Sequence, residues 1–204
     1  MTDEREGLPS ASNFDRFEKC RGSWQAEQGL PDESNEMSRA GDLGHACLAG
    51  EIHIDELDDE TAKTVIIAQG FEERRLESYG FKNAEQIREK RLWFDIDGKK
   101  KFSGKPDLVC LKGRHALIID YKTGPIPVKH AAANMQLRAL MLLVDYNYGP
   151  FETITTAILQ PRAPEKQWTA CVYDQADIEF SYHYVLQLLE TVNAPNAPRN
   201  ASEN

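Results

Sequence analysis

Gly104-Lys105-Pro106-Asp107, with Ala116-Leu117-Ile118-Ile119-Asp120-Tyr121-Lys122-Thr123-Gly124 downstream, is the stretch that decides the fold. Residues 117–121 are apolar and β-branched, the pattern of a strand buried on both faces. Asp120 and Lys122 stand at its end, and side chains two apart on a strand share a face. A carboxylate and an ammonium at the end of a buried strand are costly unless they pair, bind metal or take part in chemistry. Asp107 opens a second apolar run at 108–111, and Lys112-Gly113-Arg114 reads as the turn between the two runs. A hairpin of that kind brings Asp107 and Asp120 to one end of a sheet.

Upstream, residues 87–96 alternate, with Leu92, Phe94 and Ile96 on one face and Glu89, Arg91, Trp93 and Asp95 on the other. This predicts one strand with a single buried face, and Asp97-Gly98 is a hairpin turn signal after it. Pro125-Ile126-Pro127 excludes a central strand and reads as a linker. Residues 131–145 give the clearest helix: Ala132, Gln136, Ala139, Leu140 and Leu143 share a face. Gln136 is then an amide on an apolar stripe and needs partners there. Residues 153–159 and 168–173 read as two further strands, and Asp174 as the cap of a helix reaching about residue 192.

Nearer the start, Ser12 with Asp15 suggests a capping box for a helix over 13–20. Residues 29–36 read as a polar loop and Asp42 as the cap of a helix carrying His45. An acidic loop follows at 51–58, then a helix over 60–79 with Ala62, Val65, Ile66, Gln69 and Leu76 as a rough stripe. The predicted class is α/β (α+β), a central mixed β-sheet flanked by helices. One domain is expected over 10–192, between disordered segments at 1–9 and 193–204.

The chain of 204 residues is 41% hydrophobic and 28% charged, an ordinary globular composition with enough length for a sizeable core. No apolar run approaches the roughly 20 residues of a membrane span. The acidic opening Met1-Thr2-Asp3-Glu4-Arg5-Glu6 is unlike a signal peptide, so a cytoplasmic protein is expected. Cys20, Cys47, Cys110 and Cys171 lie far apart with no C-x-x-C pair, which argues against a zinc site or disulfide framework. A net charge of −9 argues against coating nucleic acid by charge alone. Local basic patches remain: Lys99, Lys100 and Lys101 with Lys105, where the first three read as a solvated hairpin tip, and Lys122 with Lys129. No helicase phosphate loop is present.

Pro106-Asp107, twelve residues, then Asp120-Tyr121-Lys122-Thr123-Gly124 resembles the PD-(D/E)XK nuclease superfamily, and within it the RecB-like exonuclease group. The Asp-Tyr-Lys-Thr-Gly run is the most specific part, and the likeness extends over about residues 40–145. The resemblance implies a restriction-endonuclease-like core and a metal-dependent DNA nuclease. An exonuclease of DNA recombination, DNA repair or phage DNA metabolism is the implied type. It implies Asp107, Asp120, the backbone carbonyl of Tyr121 and His45 as metal ligands. His45 enters through a Gly41-x-x-x-His45 pattern. Lys122 would orient water or stabilise charge, and Gln136 would face the site and DNA. Leu140 stands where the Gln-x-x-x-Tyr pattern has its tyrosine. Glu89 reads by position as a surface glutamate, although the group often has a site acid on this strand. One or two Mg²⁺ or Mn²⁺ ions are implied, with DNA as partner. A single-strand annealing or other recombination protein and a homo-oligomer are both compatible. Only Cys171 lies where iron–sulfur members carry three cysteines, so no such cluster is expected. The alternative is a catalytically inactive nuclease-fold DNA-binding or assembly module. Leu140 and the negative charge favour it, and the intact Asp107, Asp120, Lys122 and His45 oppose it.

Overall fold

The computed structural model describes residues 5–30, 36–163, 165 and 167–200. Its helices are α1 (Phe14–Lys19), α2 (Ser23–Glu27), α3 (Glu36–Ala49), α4 (Asp59–Ser78), α5 (Met135–Tyr148) and α6 (Gln175–Asn193). Its strands are β1 (Glu85–Arg88), β2 (Leu92–Ile96), β3 (Lys99–Gly104), β4 (Leu108–Lys112), β5 (His115–Tyr121), β6 (Thr153–Leu159) and β7 (Trp168–Asp174). Among the described residues, one sheet has the order β1-β4-β5-β6-β7, and β2 pairs with β3 alone. Neighbours in the large sheet are antiparallel except β5 and β6, which are parallel. The class is the expected one, a mixed sheet flanked by helices.

The two apolar runs pair as their pattern requires. Leu108 faces Ile119 and Lys112 faces His115 across a two-residue turn in which Gly113 has φ of 58°. Extending that register by one residue sets Asp107 opposite Asp120. The pleat of β5 then divides its side chains. Leu117, Ile119 and Tyr121 pack with Cys47, Leu48, Val65 and Ala68 of α3 and α4. Ala116 and Ile118 pack with α5, α6 and the β2–β3 hairpin. Helix α5 is buried almost all round, with Leu137, Ala139, Leu140, Met141, Leu142, Leu143 and Val144 in the core, and Asn134 caps it through Leu137 N at 2.9 Å.

Several expectations are corrected. Residues 87–96 form two strands in different sheets, because Glu89 takes a left-handed backbone, φ 48°, that ends β1 and turns the chain into β2. Helix α3 starts at Glu36, so Asp42 lies within it and caps nothing. Part of the expected polar loop, 31–35, falls outside the described residues. The capping box near the start is Ser10 with Asn13, two residues earlier than Ser12 with Asp15. Asp15 pairs instead with Lys129 at 3.0 Å. On α4 the buried stripe is Thr61, Thr64, Val65, Ala68, Glu72 and Leu76, which leaves Ile66 57% exposed and turns Glu72 inward. The stretch expected to form a disordered tail is described as far as Asn200. Gly22 N donates to Pro198 O at 2.9 Å, and Asn200 Nδ2 donates to Lys19 O at 3.1 Å. Among the described residues no helix is long and apolar enough to cross a membrane.

The hairpin meets α5 at Gly104. A β-carbon there would stand 2.6 Å from Leu143 Cδ1, 2.8 Å from Leu140 Cδ2 and 3.0 Å from Ala11 Cβ. All three neighbours are buried, so the clash cannot relax into solvent. Gly104→Ala should therefore destabilise the fold by about 1–3 kcal/mol, the usual range for overpacking. Urea unfolding measures this, and an unchanged midpoint would show that the contact is slack.

Candidate active site

Three elements deliver side chains that could hold a metal ion to one point at the end of β4 and β5. His45 comes from α3, Glu89 from the turn after β1, and Asp107 from the residue before β4. His45 Nδ1 lies 3.2 Å from Asp107 Oδ1 and 3.6 Å from Glu89 Oε1. One ligand atom from each of the three residues lies within 4.8 Å of the others. Asp107 Oδ2 accepts from Tyr121 N at 2.6 Å, which ties it to the last residue of β5. Glu89 is no surface residue. Its side chain is 11% exposed, its N donates to Asp107 O at 3.3 Å, and Lys105 Nζ pairs with its Oε2 at 2.8 Å. Two carboxylates and an imidazole converging in this way are a donor set that suits a divalent cation.

Beside this triad a second group closes on itself. Asp120, 2% exposed, accepts from Gln136 Nε2 at 2.8 Å and pairs with Lys122 Nζ at 2.8 Å. Lys122 Nζ also donates to Gln136 Oε1 at 3.2 Å. The Gln136 amide, on the apolar stripe of α5, thus bonds both members of the ion pair. Burial pushes the Asp120 carboxyl above the usual range, Lys122 opposing and Asp107 adding to the rise. Burial works against the Lys122 ammonium, but Asp120 more than restores it, so the proton is held above the usual lysine range. Lys122 is therefore a cation and hydrogen-bond donor at neutral pH, not a base.

A sequence model of the PD-(D/E)XK nuclease superfamily matches residues 9–204. The chain belongs to that superfamily. Among solved structures, a candidate exonuclease from Eubacterium rectale is similar at 13% identity and a TM-score of 0.56, over 95% of this chain and 84% of that one. An alkaline exonuclease from Laribacter hongkongensis overlaps at 13% identity and a TM-score of 0.40, over 90% of this chain and 88% of that one. SSO0001 overlaps at 15% identity and a TM-score of 0.34, over 90% and 87%. No curated protein matches. At 13% identity the first of these structures bears on the fold alone, which it shares with this chain.

Of the site residues expected from the superfamily motif, the structure gathers His45, Glu89 and Asp107 into the triad. Asp120, Lys122 and Gln136 form the adjoining ring. The Tyr121 backbone lies at their junction, through its N–H to Asp107. Sequence reasoning missed the support beneath. The Tyr121 hydroxyl donates to Glu72, Arg88 pairs with Glu72, and Arg88 Nη1 donates to Tyr121 Oη at 3.2 Å and to Leu48 O at 3.4 Å. Burial, with Glu72 adding, pushes the Tyr121 hydroxyl well above its ordinary pKa, so it stays a donor. This network joins α4, β1, β5 and α3, the last three of which position site residues. Its signal was available: Glu72 stands four residues after Ala68 and four before Leu76, on the stripe that faces the sheet.

His45 yields a prediction. Burial disfavours its imidazolium, but its hydrogen bonds to the Asp107 and Glu89 carboxylates and the charges of Asp107 and Asp120 prevail, raising the pKa from 6.5 to about 10. A ligating imidazole must be neutral, so below that pH a divalent ion displaces a proton and binds more tightly as pH rises. Calorimetric titration with Mn²⁺ at about pH 7.5, in buffers of different ionisation enthalpy, should show release of about one proton. His45→Ala should remove that release. Identical heats in every buffer for the wild type would take His45 out of the metal site.

Proposed function

We propose that the protein is a metal-dependent DNA nuclease that hydrolyses phosphodiester bonds, acting as an exonuclease in DNA recombination, repair or phage DNA metabolism. The observation that carries this reading is the apposition of the His45–Glu89–Asp107 triad and the Asp120–Lys122–Gln136 ring at one end of the sheet. Superfamily membership supports the phosphodiester chemistry. The RecB-like form of the Asp-Tyr-Lys-Thr-Gly run supports the exonuclease assignment.

His45, Glu89 and Asp107 would hold a Mg²⁺ or Mn²⁺ ion, with Asp120 and the Tyr121 carbonyl close enough in sequence and register to complete its shell. Such an ion supplies an activated water and polarises the phosphoryl group. The imidazole favours Mn²⁺ over Mg²⁺. Lys122, held charged by Asp120, places a fixed donor where negative charge builds on the phosphate, and such a donor is worth more in a dry site than in water. Gln136 keeps that ammonium in place by bonding both Lys122 and Asp120.

The second reading, an inactive DNA-binding module, draws on Leu140, which is 1% exposed and packed against Gly104 where the motif's tyrosine would stand. The closed ring of Asp120, Lys122 and Gln136 opposes it, since groups without a task are expensive to bury together. Asp107→Asn and Lys122→Met should each lower degradation of end-labelled linear DNA in Mn²⁺ by at least about a hundredfold. Gln136→Ala should lower it by a smaller factor, and circular DNA should persist. Wild-type rates for Lys122→Met would rule out the assigned role, and rapid loss of circles would make the enzyme an endonuclease.

A further inference from the structure

The two edges of the large sheet differ. Strand β1 is four residues long and carries Glu85, Gln86 and Arg88, so its free side is short and polar. Strand β7 spans seven residues, Trp168–Asp174, and holds register with β6 from end to end without a bulge. Residues 168–173 contain no charge, in a chain that is 28% charged. Edge strands are ordinarily guarded against pairing by shortness, charge, proline or a bulge. The first two protect β1, and β7 has none of the four before its last residue, Asp174, which caps α6. Among the described residues β7 pairs with β6 alone.

The ladder fixes where the free backbone groups of β7 point. Gln160 N donates to Gln167 O at 2.9 Å, one step beyond the Leu159–Trp168 pair. Opposed residues of an antiparallel pair alternate between those that exchange hydrogen bonds and those that do not. Thr169, Cys171 and Tyr173 therefore turn their N–H and C=O groups toward β6, and Trp168, Ala170 and Val172 turn theirs to the open side. The Val172 carbonyl meets the Cys171 thiol, a weak donor, at 3.9 Å. The side chains divide as well. Trp168 and Ala170 pack on the α3–α4 face, where Tyr79 and Arg75 flank the indole. Cys171 and Tyr173 pack on the opposite face. Val172 shares the face of Trp168 and Ala170 by alternation and is 59% exposed, a branched apolar side chain standing in water at the edge.

We infer that the β7 edge pairs antiparallel with the β7 edge of a second copy of this chain, giving a symmetric dimer with one continuous ten-stranded sheet. In full overlap the two strands cross at Cys171. Ala170 faces the second copy's Val172, Thr169 faces its Tyr173, Trp168 faces its Asp174, and Cys171 faces its own counterpart. Ala170 and Val172 are the residues whose backbone groups point outward, so each such pair exchanges two hydrogen bonds. Their sizes fit, a small side chain beside a branched one, and the second copy's Val172 lies diagonal to Trp168, within reach of the indole. The one carboxylate of the strand stands opposite an indole and not opposite its own counterpart, so no like charges meet. That point favours a second copy as the occupant. Two chains of net charge −9 repel wherever their acids face each other, and the uncharged run 168–173 is where they can approach. The two-fold axis runs along the sheet normal. Each copy therefore keeps a complete site at the end of β4 and β5, and the two sites open at opposite ends of the joined sheet.

Sedimentation velocity at increasing concentration tests this, and should show a species of twice the 23.1 kDa chain mass. Val172→Lys places an ammonium on the edge, a device that natural edge strands use, and should weaken the dimer at least about tenfold. Because Val172 is exposed, the variant should keep the wild-type urea midpoint at concentrations where both are monomeric. The second readout is chemical. Cys171 and its counterpart form a pair without hydrogen bonds, whose Cα atoms stand about 4.5 Å apart, within the span a disulfide accepts. Cys47 and Cys110 are buried, so Cys20→Ser leaves Cys171 as the accessible thiol. Diamide takes up the two thiol hydrogens as the S–S bond forms. It should cross-link Cys20→Ser into a dimer on a non-reducing gel and leave Cys171→Ser uncross-linked. A wild type that stays monomeric overturns the interface, and so does a dimer that survives Val172→Lys unweakened. Cross-linking as fast in Cys20→Ser with Val172→Lys as in Cys20→Ser alone marks chance collision and overturns it too. Loss of the dimer in Val172→Lys without any Cys171 cross-link in Cys20→Ser overturns the pairing centred on Cys171.

Discussion

Two carboxylates are buried at the end of a hairpin, and the structure around them is arranged to make that tolerable. Asp107 and Asp120 face each other across the β4–β5 register. An ionised carboxylate taken out of water without partners is among the most unfavourable groups a fold can hold. Each has its own remedy. Asp107 receives a backbone N–H from Tyr121 and the His45 imidazole, and Asp120 receives the Lys122 ammonium and the Gln136 amide. Four elements, α3, β4, β5 and α5, are thereby fixed relative to one another by polar contacts, in addition to the apolar packing that covers both faces of the sheet.

Strand β5 serves two purposes through its alternation. Asp120 points toward α5 and its amide, while Tyr121 points toward α4 and the Glu72–Arg88 pair. The Asp120–Lys122–Gln136 ring and the Glu72–Arg88 support thus lie on opposite faces of one strand, a single peptide apart. A buried ion pair of this kind is weak evidence for stability, since apolar residues of equal volume often do as well. Its value lies in direction. Glu72 and Arg88 accept and donate along fixed lines, and the residue after Arg88 is Glu89, whose carboxylate belongs to the triad.

How far all this could be read in advance depends on what each residue's neighbours reveal. The β4–β5 hairpin was legible because its apolar runs and Gly113 agree with each other, and Gln136 because an amide interrupts an otherwise apolar face. Glu89 misled, since alternation through residues 87–96 is continuous in composition while the backbone breaks at a left-handed turn that side-chain pattern does not record. Glu72 went unread, although its spacing from Ala68 and Leu76 put it on the buried stripe of α4. Ser10 and Ser12 offer the same capping chemistry two residues apart, and only the anchoring of Ser10 to β3 decides between them.

The parallel pairing of β5 with β6 has a bearing on when the candidate site can first assemble. Parallel neighbours need a long crossover, and here it contains α5 and with it Gln136. The backbone of Lys122 is held from the far side of that crossover, its N–H donating to Leu159 O at 2.9 Å. During synthesis every acidic residue of the candidate site leaves the ribosome well before the strand that pins the lysine. Assembly of the site therefore waits on the most sequence-distant strand pairing of the central sheet, and a nascent chain passes through a stage in which it carries the acids without the strand that fixes Lys122.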